Sequence, residues 1–213
     1  MTADGIDTDF LKEFRTFILS QVKKGNRFYL VVGGGITARA YIKAALDIAP
    51  ISTDDRDWVG ISTTRLNAQL LRASFGSRAY PEIIIDPMKK ISTKKSIIIA
   101  AGYKPGCSTD YDAVLLAKNN NIKTVVNMSN IDYAYDKDPK QFKGAQRLET
   151  ASWKVFRKIV GNRWQPGLNA PFDPVASREA AKAKLKVVIL NGRNLNNLKD
   201  CLEGNEFVGT TIS

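Results

Sequence analysis

Three stretches of the sequence carry residue types able to bind a phosphate or a nucleotide. The first is Gly33-Gly34-Gly35, which follows the apolar run Phe28 to Val32 and leads into a helical pattern from Ile36 to Leu46. Glycines between a strand and a helix let backbone N–H groups approach an anion, and the helix N-terminus adds a favourable field. The second stretch is AGYKPGCSTD, Ala101 to Asp110. Pro105-Gly106 forces a turn there, and Ser108 and Thr109 bring hydroxyls to the start of the next helix, a plausible seat for an anion. The third, Asn127 to Pro139, gathers Asn, Asp and Tyr after a strand, residue types that could cradle a base and a ribose.

Each stretch also has a plainer reading. Gly33 to Ala38 fits the relaxed dinucleotide pattern G-x-G-x-x-A, but that site needs an acidic residue closing a second strand about 20 residues on. The candidates Asp54, Asp55 and Asp57 lie in a polar stretch that is no strand. No glycine is followed by Lys and Ser/Thr at P-loop spacing. Glycines serving only a tight turn, Ser108 or Thr109 acting as a helix cap, and Asx turns in the third stretch all stay open. The chain has no histidine, which removes His-based catalysis, the Ser-His-Asp triad and His-containing zinc sites. Cys107 and Cys201 make neither metal nor redox spacing.

The elements that must position these residues follow from periodicity. Phe10 to Val22, Asp57 to Ser74 (ended by Gly76), Thr109 to Lys118 and Pro174 to Lys184 read as helices. Phe28 to Val32, Glu82 to Ile85, Ser96 to Ala100, Thr124 to Val126 and Leu185 to Leu190 read as buried strands, and Val208 to Ile212 as an edge strand. Buried-type strands alternating with helices predict an α/β fold, a three-layer αβα sandwich with a mainly parallel central sheet. The 213 residues are expected to form a single domain. The glycine turn, Gly102 to Ser108 and Met128 to Asp132 all follow strands, so they are expected to converge on one sheet edge. Tyr133 to Gly144, rich in Asp, Lys and Pro, reads as a mobile loop.

Lys and Arg number 32 against 21 Asp and Glu, a net charge of +11. Such a surplus attracts anions, either nucleic acid or small phosphorylated ligands. The lysines are scattered in short pairs without interleaved aromatics, which speaks against nucleic acid and fits a solvated surface. No run of eighteen apolar residues and no basic-then-apolar leader occurs, so no membrane association and a cytoplasmic location are expected.

Taken together, VVGGGITAR, DWVGISTTRLNAQLL, GYKPGCSTDYDA and SNIDYAYDKDP stand in the order and spacing of the amino-acid kinase superfamily and look most like its uridylate (UMP) kinase branch. The resemblance runs from about Asp9 through the closing GTTI. Its clearest matches are the triple glycine with Arg39, Asp57 with Gly60, and Ser129 to Pro139, similar to the family's TN-x-D-x-x-Y-x-x-DP. Cys107 and Ser108 stand where His and Thr are usual, and Tyr133 where glycine is usual. The resemblance implies transfer of the ATP γ-phosphate to UMP with Mg²⁺ carried by the nucleotide, no protein metal site, and a homo-oligomer, typically a hexamer. It implies that Gly34 and Asp57 contact UMP, with Asp57 on the ribose. The loop of Tyr103, Lys104, Pro105, Gly106, Cys107, Ser108 and Thr109 would hold the uracil and phosphate. Gly35 and Arg39 would be catalytic, facing the transferred phosphate and the ATP tail, and Ser129, Asn130, Tyr135 and Asp138 would line the adenosine site.

Superfamily members open with a strand and a Gly-Gly-Ser-like turn at the ATP phosphates. Met1 to Thr8 is too polar for that strand, so the expectation is that it is missing and that transfer by this chain is weak. Three other functions fit parts of the pattern: an amino-acid kinase acting on a carboxylate, carbamate or phosphonate, a non-catalytic nucleotide-binding or regulatory homologue, and a basic RNA-binding protein.

Overall fold

The computed structural model describes residues 5–163 and 170–213. The chain divides into two compact units, Met1–Asp112 and Ala113–Ser213. Within the opening stretch, residues 1–4 lie outside the described residues, and the first helix begins at Thr8.

The first unit runs α1 (Thr8–Lys23), β1 (Phe28–Val31), α2 (Gly35–Ile48), α3 (Thr53–Phe75), β2 (Ala79–Ile84) and β3 (Ile97–Ala100), and α4 (Thr109–Asn119) starts in it. Its three strands are all parallel in the order β1-β3-β2, with Phe28 to Val31 in register with Ile97 to Ala100. All four residues of the middle strand β3 are buried. That explains its apolar run without alternation, as expected of a strand covered on both faces. Because β1 and β3 are parallel neighbours, the chain leaves both at the same edge of the sheet. The glycine turn and the loop after Ala101 therefore emerge side by side.

Helix α3 begins earlier than the apolar pattern predicts, at Thr53 instead of Asp57. Ser52 caps it: its hydroxyl accepts the Asp55 N–H at 3.0 Å and bonds the Asp55 carboxylate at 2.6 Å. Asp54 and Asp55 in the first turn favour the helix dipole. The polar stretch that is no strand is thus the helix start. Further along α3, Thr63 and Thr64 are buried, and their hydroxyls donate to the carbonyls of Gly60 and Ile61 at 2.6 and 2.7 Å. The Thr64 oxygen also accepts the Gly102 N–H at 2.8 Å, tying the helix to the end of β3.

The second unit holds β4 (Thr124–Ser129), β5 (Ala134–Tyr135), β6 (Arg147–Leu148), β7 (Thr150–Ala151), α5 (Trp153–Val160), α6 (Pro174–Lys182), β8 (Lys186–Asn191), α7 (Leu195–Glu203) and β9 (Thr210–Ile212). Its sheet has the order β4-β8-β9-β7, with β4 and β8 parallel from Thr124/Lys186 to Ser129/Asn191. The C-terminal strand β9 is interior to this sheet, antiparallel to β8 and parallel to β7, and not an edge. Thr210 and Ile212 are fully buried accordingly. The Met128–Asp132 loop follows β4, so it leaves a different sheet from the one carrying the first two loops. Within the stretch read as a loop, Ala134-Tyr135 pairs antiparallel with Arg147-Leu148. Helices α5 and α7, of eight and nine residues, are shorter than the stretches that periodicity reads as helices. The indole of Trp153 is nonetheless buried and donates to the Leu185 carbonyl at 2.9 Å.

Thr64→Val keeps the shape of the side chain but removes the acceptor for a buried N–H. It should lower the unfolding free energy by about 1–3 kcal/mol in urea titration. A change below about 0.5 kcal/mol would show that water or another group satisfies Gly102.

Candidate functional site

The structure brings the glycine turn, Asp57 and the Tyr103–Thr109 loop together in the first unit. Gly33 faces Thr109: a Cβ on Gly33 would lie 3.7 Å from the Thr109 hydroxyl oxygen. Gly34 is the residue before α2 and has no room for a side chain, since a Cβ would sit 2.5 Å from that of Ala38 and 3.0 Å from the Thr63 hydroxyl. Gly35 opens the helix at φ +59°, a conformation that favours glycine. The Asn67 amide of α3 donates to the carbonyls of Gly33 and Gly34 at 2.9 and 3.2 Å. With the carbonyls held, the turn has a set orientation, and the first N–H groups of α2 have no partner within the helix. These are donors suited to an anion. Arg39 lies four residues past Gly35 on the same helix face and is exposed.

Asp57 lies in the first turns of α3, where one carboxylate oxygen, Oδ2, accepts the Gly106 N–H at 2.8 Å. It is not the helix cap, a role that Ser52 fills. In the loop, Ser108 is indeed a cap for α4, its hydroxyl accepting the Tyr111 N–H at 3.2 Å. The hydroxyl of Thr109 is the one turned to the glycines. Lys104 is exposed, with its ammonium 5.1 Å above the Tyr103 ring. Pro105 and Cys107 are half-buried within the turn.

Four residues that build this site escape the sequence reading: Thr64, Arg65, Asn67 and Asp112. The Arg65 guanidinium donates to the Tyr103 carbonyl at 3.1 Å and to the Gly102 carbonyl at 3.4 Å, and lies over the exposed Trp58 ring at 5.8 Å. Asp112 is 2% exposed, and its Oδ2 accepts the Tyr103 N–H at 3.1 Å. Three of the four sit at i, i+1 and i+3 in STTRLNA, a polar cluster in the middle of α3, which is the signal that could have found them.

In the second unit, Ser129 closes β4 and its carbonyl accepts the Gly192 N–H at 2.8 Å. Gly192 presses onto Met128, where a Cβ would come within 2.8 Å of the Met128 Cβ. Asn130 follows, and Asp132 accepts the Asn191 amide at 3.0 Å. Tyr135 pairs with Arg147 in the β5–β6 ladder, anchored where the Ala134 N–H meets the Thr210 hydroxyl at 2.9 Å. The Asp138 carboxylate accepts the Lys140 N–H at 2.9 Å, so it shapes its own turn. The structure thus brings Ser129 and Asn130 to the end of β4 beside Asn191 and Gly192, a pair the sequence shows as Asn-Gly after a strand.

Burial pushes the Asp112 carboxyl from 3.8 up to about 7, against the pull of the Tyr103 N–H and with help from the charge on Asp110. A carboxyl raised in this way holds its proton in the folded chain but not in the unfolded one between about pH 4 and 7, so stability falls as pH rises through that window. At about 1.36 kcal/mol per pH unit, the full loss above pH 7 is on the order of 4 kcal/mol. In urea unfolding, the unsubstituted chain should fall progressively behind Asp112→Asn between about pH 4 and 8. Parallel pH curves for the two proteins would contradict this burial.

The sequence profile described as the Amino acid kinase family matches residues 2–191. The uridylate kinase of Thermoplasma volcanium is 34% identical, over 100% of this chain and 92% of its own length. The crystal structure of uridylate kinase from Archaeoglobus fulgidus matches with a TM-score of 0.84 at 32% identity, over 97% of this chain and 94% of that one. The crystal structure of UMP kinase from Ureaplasma parvum, only 20% identical, shares the fold with a TM-score of 0.79 over 100% of this chain and 93% of that one. The chain belongs to the amino acid kinase family, on its uridylate kinase branch.

Proposed function

We propose that this protein is a uridylate kinase, transferring the γ-phosphate of ATP to UMP to give ADP and UDP in pyrimidine nucleotide biosynthesis in the cytoplasm. The observation that carries the reading is the meeting of three segments in the first unit. Gly33 faces Thr109 there, and Asp57 is bonded to Gly106. Gly34, Asp57 and Tyr103 to Thr109 bind UMP, with the second oxygen of Asp57 accepting a ribose hydroxyl. Gly35 and Arg39 meet the transferred phosphate. Ser129, Asn130, Tyr135 and Asp138 bind the adenosine of ATP.

The reaction needs no general base. A phosphate oxygen of UMP, already anionic near neutral pH, bonds to the γ-phosphorus as the bond to the β,γ-bridging oxygen breaks, and ADP leaves with that electron pair. What remains for the protein is to align two polyanions and offset the charge that develops between them. Backbone N–H groups at the glycine turn and the Arg39 guanidinium suit that task, and a net charge of +11 speeds capture of both nucleotides. Among the described residues no cluster of three His, Cys, Asp or Glu is built to cage a metal. In this reading Mg²⁺ is carried by the nucleotide substrate.

The same reading includes a homo-oligomer, a hexamer by the family pattern. Its support is helix α2, which has no buried residue although Ile36, Tyr41, Leu46 and Ile48 are apolar and exposed, Ile48 at 85%. Leu66 and Leu70 of α3 are exposed as well. Among the described residues no helix is long and apolar enough to cross a membrane.

Calorimetry with UMP, CMP and AMP should show selective binding of UMP, and a coupled assay should detect ADP release dependent on UMP. Equal affinity for the three nucleotides would overturn the acceptor assignment. UMP binding without ADP release would leave a nucleotide-binding protein that is not a kinase. Asp57→Ala should weaken UMP binding far more than ATP binding, by roughly 10- to 150-fold for a lost charge-assisted hydrogen bond. Equal losses for both nucleotides would assign Asp57 to the scaffold alone.

A further inference from the structure

We infer that Asp112 and Arg65 are positioning residues for the acceptor: two polar side chains, from α4 and α3, that hold the N–H and the C=O of Tyr103 and so aim the loop that receives UMP. The inference rests on the reading of Tyr103 to Thr109 as the UMP loop.

Tyr103 is the first residue past Gly102, where the chain comes away from β3, and no regular element supports it again until Thr109. Whatever fixes the Tyr103 backbone therefore sets the direction in which the following residues leave. Its N–H donates to Asp112 at 3.1 Å, and its carbonyl accepts from Arg65 at 3.1 Å. Just before it, Gly102 is held by the Thr64 hydroxyl through its N–H and by Arg65 through its carbonyl. A neutral amide or hydroxyl could have met either group of Tyr103. The Arg65 guanidinium is always charged, and a charge-assisted hydrogen bond is about twice as strong as a neutral one.

Asp112 stands where a carboxyl is costly. It is buried, its Oδ1 has no hydrogen-bond partner, and its backbone is fixed by the Asp112 N–H bonding the Ser108 carbonyl at 3.0 Å. The charge of Asp110 on its own helix opposes its ionisation, and Arg65 reaches the same Tyr103 from α3. Packing alone favours an apolar side chain at such a position. The contact that a carboxyl adds there is the one to the loop. Arg65 is half-buried, and its planar fork spans two successive carbonyls in a way a lysine ammonium cannot reproduce.

The test measures UMP and ATP affinity by calorimetry, and KM for each nucleotide, on the full chain and on Asp112→Ala, Asp112→Asn, Arg65→Met and Arg65→Lys. Asp112→Ala and Arg65→Met should each weaken UMP by about tenfold, while ATP stays within about twofold. Asp112→Asn, whose amide oxygen can still accept the Tyr103 N–H, should recover most of the loss, and Arg65→Lys little of it. The double variant Asp112→Ala with Arg65→Met should lose less than the product of the single losses, because both act on one residue. Folded variants whose UMP affinity is unchanged, or whose UMP and ATP affinities fall together, would overturn the inference. If Asp112→Ala does not fold, Arg65→Met at its half-buried position decides the matter in the same way. An unsubstituted chain that binds no UMP would overturn the functional reading itself, an outcome distinct from a UMP-binding chain whose variants are unaffected.

Discussion

Where β3 ends, the Gly102 N–H must find a partner inside the protein, and the Thr64 hydroxyl supplies it at 2.8 Å. That bond explains the glycine, because a Cβ on residue 102 would come within 2.8 Å of the same oxygen. It also explains the buried threonine, whose hydroxyl both donates to its own helix and accepts from the strand end. With α3 fixed against β3, the other residues of the helix reach their targets from known positions. Asn67 meets the glycine turn, Arg65 the loop carbonyls and Asp57 the Gly106 N–H. One helix thus organises two loops that leave the sheet side by side.

The glycines of the turn combine two functions that are often argued separately. Gly34 is glycine because α2 and α3 approach closely, and Gly35 because its backbone takes φ +59°. Neither reason requires a ligand. Yet the same close approach leaves N–H groups at a helix start uncovered by side chains, the arrangement that suits a phosphate. Packing and binding are therefore not rival explanations of the triple glycine. A side chain there would disturb both at once.

Much of the architecture was legible because it rests on long apolar runs. Ile97-Ile98-Ile99 could be read as a buried strand from the residues alone, whereas Asp57 joined the glycine turn and the Thr109 loop only through the resemblance to the amino-acid kinases. What escaped was short or polar. The start of α3 was hidden because Ser52-Thr53-Asp54-Asp55 signals a cap and looks like a loop. Helices α5 and α7 have eight and nine residues, short of the length at which periodicity separates a helix from other structure. Thr64, Arg65, Asn67 and Asp112 contact backbone atoms, so their targets follow only from the loop's path, although the polar cluster STTRLNA marks the first three. The interior place of β9 depends on pairing with strands far away in sequence, which periodicity does not encode.

The position of β9 affects how the molecule is made. The three strands of the first sheet come from residues 28–100, a contiguous stretch that can pair as soon as it has left the ribosome. The second sheet has Thr210 to Ile212 wedged between β8 and β7, and the Trp153 N–H bonded to the Ser213 carbonyl at 3.2 Å. Strands β7 and β8 must wait, unpaired with each other, until that late segment emerges. During translation the first unit can be finished while the second still exposes open strand edges, the kind of surface on which chains misassemble.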